Sequence, residues 1–294
     1  MVIEHCSVCP RRCGVRRDDA GRGFCGMPAA PVVARAALHF GEEPCISGTN
    51  GSGTIFFSGC SLRCVFCQNR PISRENQGKP ITVRRLADIF RELEAAGAHN
   101  INLVNPTHFV PAVLAALELY RPGIPIVYNS GGYELPDTIR RLKGAVDVFL
   151  PDLKYVSGEL SQRYSGAADY FERASEAIIA MADQTGSFRL DENGMAVSGT
   201  MVRHLVLPGH TRESMAVLDW LAGHVSGRVW VSLLFQYTPL GNLASCPSLQ
   251  RRLTARECDK VYRHLLERGL TDGYVQERSS AGKEFIPDFD LTGV

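Results

Sequence analysis

An α/β fold, a partial TIM-type (β/α)6 barrel with an N-terminal cysteine-rich extension, is predicted by three features of this chain. After residue 50, short apolar strand-like segments alternate with helix-like ones, six times over. Such alternation argues a parallel sheet with helices outside it. Hydrophobic residues make up 45% of the 294 positions, enough for a substantial core. Eight of the ten cysteines crowd into residues 6 to 67, ahead of the alternating part or at its first turn. The expected division is therefore 1–50 for the extension and 51–294 for the barrel with a C-terminal wrap.

The elements follow in order. Thr54-Ile55-Phe56-Phe57 is a short apolar strand ending at Ser58-Gly59. Thr82 to Gly97 reads as a helix, with Val83, Leu86, Ile89, Phe90 and Leu93 at helical spacing and Gly97 as its stop. Ile101–Val104 is the second strand, followed by a helix through Val113, Leu114, Leu117 and Tyr120. Pro125–Tyr128, Val146–Leu150, Met201–Leu207 and Val229–Phe235 are the remaining strands. Thr211 can cap the helix through Val217, Leu218 and Leu221, and Thr254-Ala255-Arg256-Glu257 is a capping box for the last long helix. Residues 155 to 200 hold more than a crossover: Phe188–Leu190 and Met195–Val197 flank an Asn-Gly turn and read as a hairpin. The tail from Thr271 to Val294 wraps the barrel at no predicted position.

Cys60, Cys64 and Cys67 form a Cys-x3-Cys-x2-Cys run immediately after the first strand. Three thiolates on one tight loop can ligate three irons of a cubane iron–sulfur cluster. A fully ligated cluster takes four cysteines, so three leave one iron open, as at a catalytic metal site. In barrels of this kind the chemistry sits at the carboxyl ends of the strands, where this loop falls.

The run resembles the signature of the radical S-adenosylmethionine superfamily. The wider stretch His39 to Ser73, with Gly41-Glu42-Glu43-Pro44-Cys45-Ile46-Ser47-Gly48, resembles its pyruvate formate-lyase activating enzyme-like branch. The resemblance implies the six-stranded partial barrel and a [4Fe-4S] cluster whose open iron binds S-adenosylmethionine. It implies reductive cleavage of that cofactor to a 5′-deoxyadenosyl radical that abstracts a hydrogen atom. The implied partners are a reductant such as flavodoxin or ferredoxin and a protein substrate with a glycyl loop. The rival reading within the enzyme class is radical modification of a small molecule or peptide.

Polar residues after each strand point into such a site. Asp152-Leu153-Lys154 matches the activating enzymes, where Asp and Lys lie against S-adenosylmethionine. A Lys ammonium can meet the methionine carboxylate while an Asp orients it; a strand-end salt bridge is the plain alternative. Asn105 and Thr107 stand where many members carry Gly-Gly-Glu, and either contact the cofactor or cap the next helix. Asn129, before Ser130-Gly131-Gly132, follows the third strand, where glycines let backbone approach a ligand or simply turn. Either Arg203 or His204 faces inward on the fifth strand, and Arg203 is the chosen carboxylate or ribose contact. Gln236 and Tyr237 would bound the adenosine pocket, and Phe66 would pack on the adenine face.

Cys6-x2-Cys9-x3-Cys13-x11-Cys25 is a second constellation. It reads as a structural zinc site, a second iron–sulfur cluster, or redox-active thiols. Cys45 could substitute as a ligand at either site; Cys246 is an ordinary loop thiol, and Cys258 shares a helix face with Val261, Tyr262 and Leu265 as core. A net charge of +1 and dispersed basic residues argue against a nucleic-acid or anionic-membrane partner. No apolar run reaches membrane-span length, and the N-terminus has no apolar signal region. Clustered cysteines in such a chain point to metal binding in a reducing cytoplasm. Two readings outside this enzyme class are an electron-transfer protein with a four-ligand cluster and a zinc-binding interaction module.

Overall fold

The structure, a computed structural model, describes residues 2–18, 22–240, 243–276 and 287–294. Its strands in chain order are β1 (Val32–His39), β2 (Ser52–Phe57), β3 (Lys79–Pro80), β4 (Ile101–Val104), β5 (Ile126–Ser130), β6 (Val148–Pro151), β7 (Arg189–Leu190), β8 (Ala196–Leu205), β9 (Trp230–Leu234) and β10 (Gly273–Gln276). They make one sheet in the order β10-β9-β8-β6-β5-β4-β2-β1-β3, with β7 paired to β8 alone. From β2 to β10 every neighbouring pair is parallel. β1 is antiparallel to β2 and β3. The sheet does not close between β10 and β1 among the described residues. This is the predicted partial barrel, with β10 as a seventh parallel strand drawn from the tail whose position was not predicted.

Helices Val83–Ala95, Val110–Leu119, Pro136–Arg141, Tyr170–Thr185, Thr211–His224 and Ala255–Glu267 cover the outside. Strands β4, β5 and β6 are buried at every position, as strands covered on both faces are. Two large apolar clusters join the outer face of the sheet to these helices. The lumen is layered differently. At its floor Val127, Val148, Leu150 and Met201 pack on Cys45 and Ile46 of the short helix Pro44–Ser47. Above that floor, the inward residues Asn102, Asn129, Arg203 and Ser232 are polar.

Several local expectations need revising. The hairpin arm and the predicted fifth strand are one continuous strand, β8. Thr211 is the first helical residue and His210 occupies the cap position, its ring bonded to Tyr164 and Ser248 and not to the helix's own N–H groups. Tyr262 is exposed, one position off the buried stripe of Cys258, Val261 and Leu265. Cys246 is buried in the core. The helix after Thr254 carries the predicted capping box. No helix among the described residues is long and apolar enough to cross a membrane.

His204 lies on the outward side of β8, its Nδ1–H donating to the Leu153 carbonyl at 2.6 Å. Burial lowers its pKa from 6.5 to about 4. The folded protein therefore binds fewer protons than the unfolded chain between these values, and stability falls as pH drops through that window. The single group accounts for up to about 3 kcal/mol. In urea titrations of the iron-free protein at pH 7 and pH 4.5, His204→Gln should lose distinctly less stability on acidification than the native chain. Equal losses would show that other groups govern the acid limb.

Candidate active site

The loop from Ser58 to Asn69 leaves the carboxyl end of β2 and returns through the short helix Arg70–Ser73. It is tied at both ends: Gly59 N–H donates to the Ile72 carbonyl at 2.8 Å, and Val65 N–H to the Tyr164 carbonyl at 2.9 Å. Each of its three sulfurs has a hydrogen-bond partner. Leu62 N–H donates to Cys60 Sγ at 3.3 Å, and Ser73 Oγ–H to Cys67 Sγ at 3.3 Å. Cys64 Sγ and Ser165 Oγ share a hydrogen bond of 2.9 Å. Burial pushes the Cys64 thiol up to about 12, with Lys154 pulling the other way, and burial also raises Cys67. Thiols so buried ionise only against a nearby cation or a metal. Three hydrogen-bonded sulfurs on one loop fit the donor set of a three-cysteine iron–sulfur cluster.

All three cysteines line one cavity of about 260 Å³. Asn105, Asn129, Asp152, Lys154, Arg203, Gln236 and Phe66 line the same cavity, and Asn105 Nδ2 donates to the Gly59 carbonyl beside Cys60. Arg203 Nε donates to Asp152 Oδ1 at 3.1 Å, Nη1 to Glu42 Oε2 at 3.1 Å, and Nη2 to Asn129 Oδ1. Lys154 Nζ pairs with the other Asp152 oxygen. Burial works against the Asp152 carboxylate, but Lys154 and Arg203 outweigh it and hold its pKa below the ordinary range. Burial likewise opposes the Lys154 ammonium, and Asp152 more than restores it. The sheet register brings this about: Arg203 bridges directly to Asp152 at the end of β6.

Two predicted contacts are not in the cavity. Thr107 is buried in a 3-10 turn and donates to Glu134 Oε1 at 2.6 Å. Tyr237 is buried behind Phe66, ring centroids 6.3 Å apart, and donates to the Leu249 carbonyl at 2.7 Å. Both residues lie three positions beyond the end of their strand, where strand alternation no longer sets side-chain direction. The sequence reading missed Glu42. Its Oε1 accepts from Asn102 at 3.1 Å and Asn129 at 3.2 Å. A charged pair, Glu42-Glu43, just before an apolar turn was the available signal.

The N-terminal segment packs against the cysteine loop. Cys6, Cys9 and Cys25 are buried and Cys13 is partly so. Arg11 donates to the Ser61 carbonyl at 2.8 Å and to the Gly166 carbonyl at 2.6 Å. Gly59 has φ +80, and a Cβ there would lie 2.3 Å from Met27 and 2.7 Å from the Cys25 carbonyl. Arg17 is 0% exposed. Its guanidinium donates to the carbonyls of Met27, Pro28 and His108, and to Cys6 Sγ at 3.5 Å. No three His, Cys, Asp or Glu side chains among the described residues converge on a single-ion site, the N-terminal thiols included.

Comparison with known proteins bears on this arrangement. Residues 54–221, more than half of the chain, match the family model described as "Radical SAM superfamily". An uncharacterised protein of Methanocaldococcus jannaschii is 30% identical over 270 residues, covering 88% of this chain and 74% of its own. A radical SAM methyltransferase from Sphaerobacter thermophilus superposes with a TM-score of 0.51 at 18% identity, covering 76% of this chain and 66% of its own. Streptococcus suis SuiB bound to S-adenosylmethionine superposes at 0.46 and 13% identity, covering 74% of this chain and 45% of its own. The chain thus spans about half to two thirds of these two solved chains.

Removing one partner of a buried ion network strands the others. Arg203→Met should therefore lower unfolding free energy by about 3 kcal/mol in urea titrations, because Glu42 loses its cation. A loss under about 1 kcal/mol would mean that water or Lys154 takes over the pairing.

Proposed function

The chain belongs to the radical SAM superfamily, and from that premise we propose that it cleaves S-adenosylmethionine reductively at a [4Fe-4S] cluster held by Cys60, Cys64 and Cys67. When bound, such a cluster would supply one electron to the sulfonium, giving methionine and a 5′-deoxyadenosyl radical that takes a hydrogen atom from substrate. The observation that carries this reading is the shared cavity: three hydrogen-bonded sulfurs face the Asp152–Lys154–Arg203 network across about 260 Å³. Lys154 would meet the methionine carboxylate, and Asp152 would hold its ammonium in place. Arg203 would fix the polar floor, with Asn105, Asn129 and Gln236 offering neutral hydrogen bonds to the ribose and amino groups. Phe66, wedged edge-on against Tyr155, Tyr164 and Tyr237, would give the adenine a rigid apolar face.

The finer reading is activation of a glycyl radical enzyme, supported by the Asp152-Leu153-Lys154 and Gly41–Gly48 sequence matches. The open edge at β10 would admit a loop. Radical modification of a small molecule or peptide is the alternative. We further propose residues 1–50 as a metal-holding brace on a catalytic unit 51–294. The metal centre, zinc or a second iron–sulfur cluster, would use Cys6, Cys9, Cys13 and Cys25. Its support is Arg17: a fully buried cation without a carboxylate partner among the described residues calls for thiolate counter-charge. Ten cysteines, none of them in a disulfide among the described residues, suit a reducing, cytoplasmic setting. A flavodoxin- or ferredoxin-like reductant suits the outer side of the cysteine loop. There Arg63, Arg70, Arg74 and Arg163 line a concavity of about 500 Å³, with Glu75 as its acid.

Anaerobically reconstituted protein with dithionite and S-adenosylmethionine should release 5′-deoxyadenosine, and Cys64→Ala should release none. A reducible cluster that yields no product would favour the electron-transfer reading. Lys154→Met should weaken cofactor binding at least roughly tenfold, the worth of one charge-assisted contact. Zinc and iron analysis of the folded protein decides the N-terminal metal: zinc alongside the cluster iron indicates zinc, and about eight irons indicate a second cluster.

A further inference from the structure

A second cavity of about 380 Å³ lies in the lumen beside the first, at the β10 edge, where the sheet does not close among the described residues. Glu43, Ser232, Tyr274 and Gln276 line it, with Phe40 at its rim. It shares Glu42, Arg203, Leu234 and Gln236 with the cysteine-lined cavity, so a molecule in one abuts a molecule in the other.

The charges around the two cavities do not balance. Glu42, Glu43, Asp152, Lys154 and Arg203 are the carboxylates and the Lys and Arg cations among their described lining residues; His39 also lines the first cavity, and burial lowers its pKa, which favours the neutral ring. Lys154 pairs with Asp152, and Arg203 with Asp152 and Glu42. Glu43 is the surplus carboxylate. Its Oε2 is buried and has no hydrogen-bond partner among the described residues. Ser232 is fully buried, directly opposite Arg203 in the β8–β9 register, and its Oγ is equally unpartnered. Burial pushes the Glu43 carboxyl above its usual range, with the Arg203 charge and, more weakly, the nearby Ser232 hydroxyl pulling the other way; neither makes a hydrogen bond of full geometry to its Oε2. Tyr274 and Leu234 make the rest of the wall largely apolar, and Phe40 is 60% exposed at the mouth.

A buried carboxylate is retained at a cost unless a cation joins it. Arg203 already commits three of its five N–H groups, and its charge, to Asp152, Glu42 and Asn129, so an anionic ligand would meet more carboxylate than cation here. We propose that this cavity receives an ammonium or guanidinium group of the substrate. Glu43 supplies the counter-charge, Ser232 accepts a further hydrogen bond, and the apolar wall holds the carbon chain behind it. The C–H next to the shared wall then faces the cofactor cavity. The assignment names a substrate class for the radical chemistry proposed above and rests on that reading. The cation can belong to a free amine or to a lysine or arginine side chain.

Ligand-observed NMR of the reconstituted protein with S-adenosylmethionine tests it. The probes are n-butylammonium, n-butylguanidinium, butyrate, n-butanol and the peptide acetyl-Gly-Lys-Gly-amide. The cations should bind at least tenfold more tightly than butyrate or butanol. Glu43→Gln should lose that preference while S-adenosylmethionine binding is unchanged, and Ser232→Ala should lose part of it. Saturation by the peptide and not by n-butylammonium supports the proposal and assigns the cation to a polypeptide side chain. Butyrate binding as well as n-butylammonium overturns it, as does undiminished cation preference in Glu43→Gln. Should Glu43→Gln fail to fold, the charge series on the native chain and on Ser232→Ala still decides. Deoxyadenosine release without amine is measured in parallel. Its absence beside intact cation preference would sink the radical chemistry and leave this site standing.

Discussion

One buried cation organises the barrel lumen. Arg203 reaches from β8 to Asp152 at the end of β6, to Asn129 on β5 and to Glu42 in the loop after β1. Parallel strands hydrogen-bond only to their neighbours, so nothing in the ladder itself fixes how far strands on opposite sides of an open barrel stand apart. Arg203 supplies one tie, through Glu42 to the loop after β1, while its bonds to Asp152 and Asn129 stay with the next two strands of the sheet; its planar fork allows each acceptor only a narrow range of positions. It also explains why the lumen is hollow at this level. Below it, Val127, Val148 and Met201 close on Ile46 as an apolar plug. At the level of Arg203 the inward positions are short polar side chains and charges, which cannot pack to the density of a core without leaving partners unsatisfied. The space they leave is the cavity.

A second dependency runs from the N-terminal segment to the cysteine loop. Gly59 precedes Cys60, and its positive φ and missing side chain let Met27 and the Cys25 carbonyl press against the backbone. His108 Nε2 donates to the Ser58 carbonyl at 2.7 Å, while burial depresses its pKa to about 3 and keeps it neutral. Arg11 joins the carbonyl of Ser61 to the helix end at Ser165 and Gly166, and Ser165 in turn bonds Cys64. The loop that presents three sulfurs is therefore clamped from outside by the segment that carries four more. Rigid support of this kind is what a ligand set needs if its geometry is to be set by the protein.

Much of this was legible in the residues. Apolar runs of four or five with helix-period segments between them are enough for a parallel α/β sheet, because both faces of each strand must be covered. Three cysteines at a strand's end are enough to find the cavity, because strand direction places that end at one mouth. What was not legible depends on side-chain direction after a strand has ended. Thr107 and Tyr237 follow β4 and β9 by a few residues, where the period of two no longer holds, and both turn away from the lumen. Glu42 lies after an antiparallel strand that the alternating pattern did not include, so its arrival at Arg203 is a consequence of the β1–β2 pairing. β10 carries only four residues in a mixed tail, too short for its period to stand out.

The cysteine loop is two-sided, and the two sides have opposite electrostatics. Its inner side presents sulfurs to a lumen whose cations are already matched by carboxylates, with Glu43 in excess. Its outer side presents Arg63 to a concavity that also carries Arg70, Arg74 and Arg163. The whole chain is nearly neutral at +1, so this is a separation of charge and not a consequence of composition. A reductant docked on the basic outside, as proposed above, would approach the sulfurs from that side. A cationic substrate group entering from the β10 edge would meet the acid excess from the other direction. The two approaches do not compete for the same surface, because the loop itself lies between them. Reduction and substrate binding can then be governed separately by residues that never touch one another.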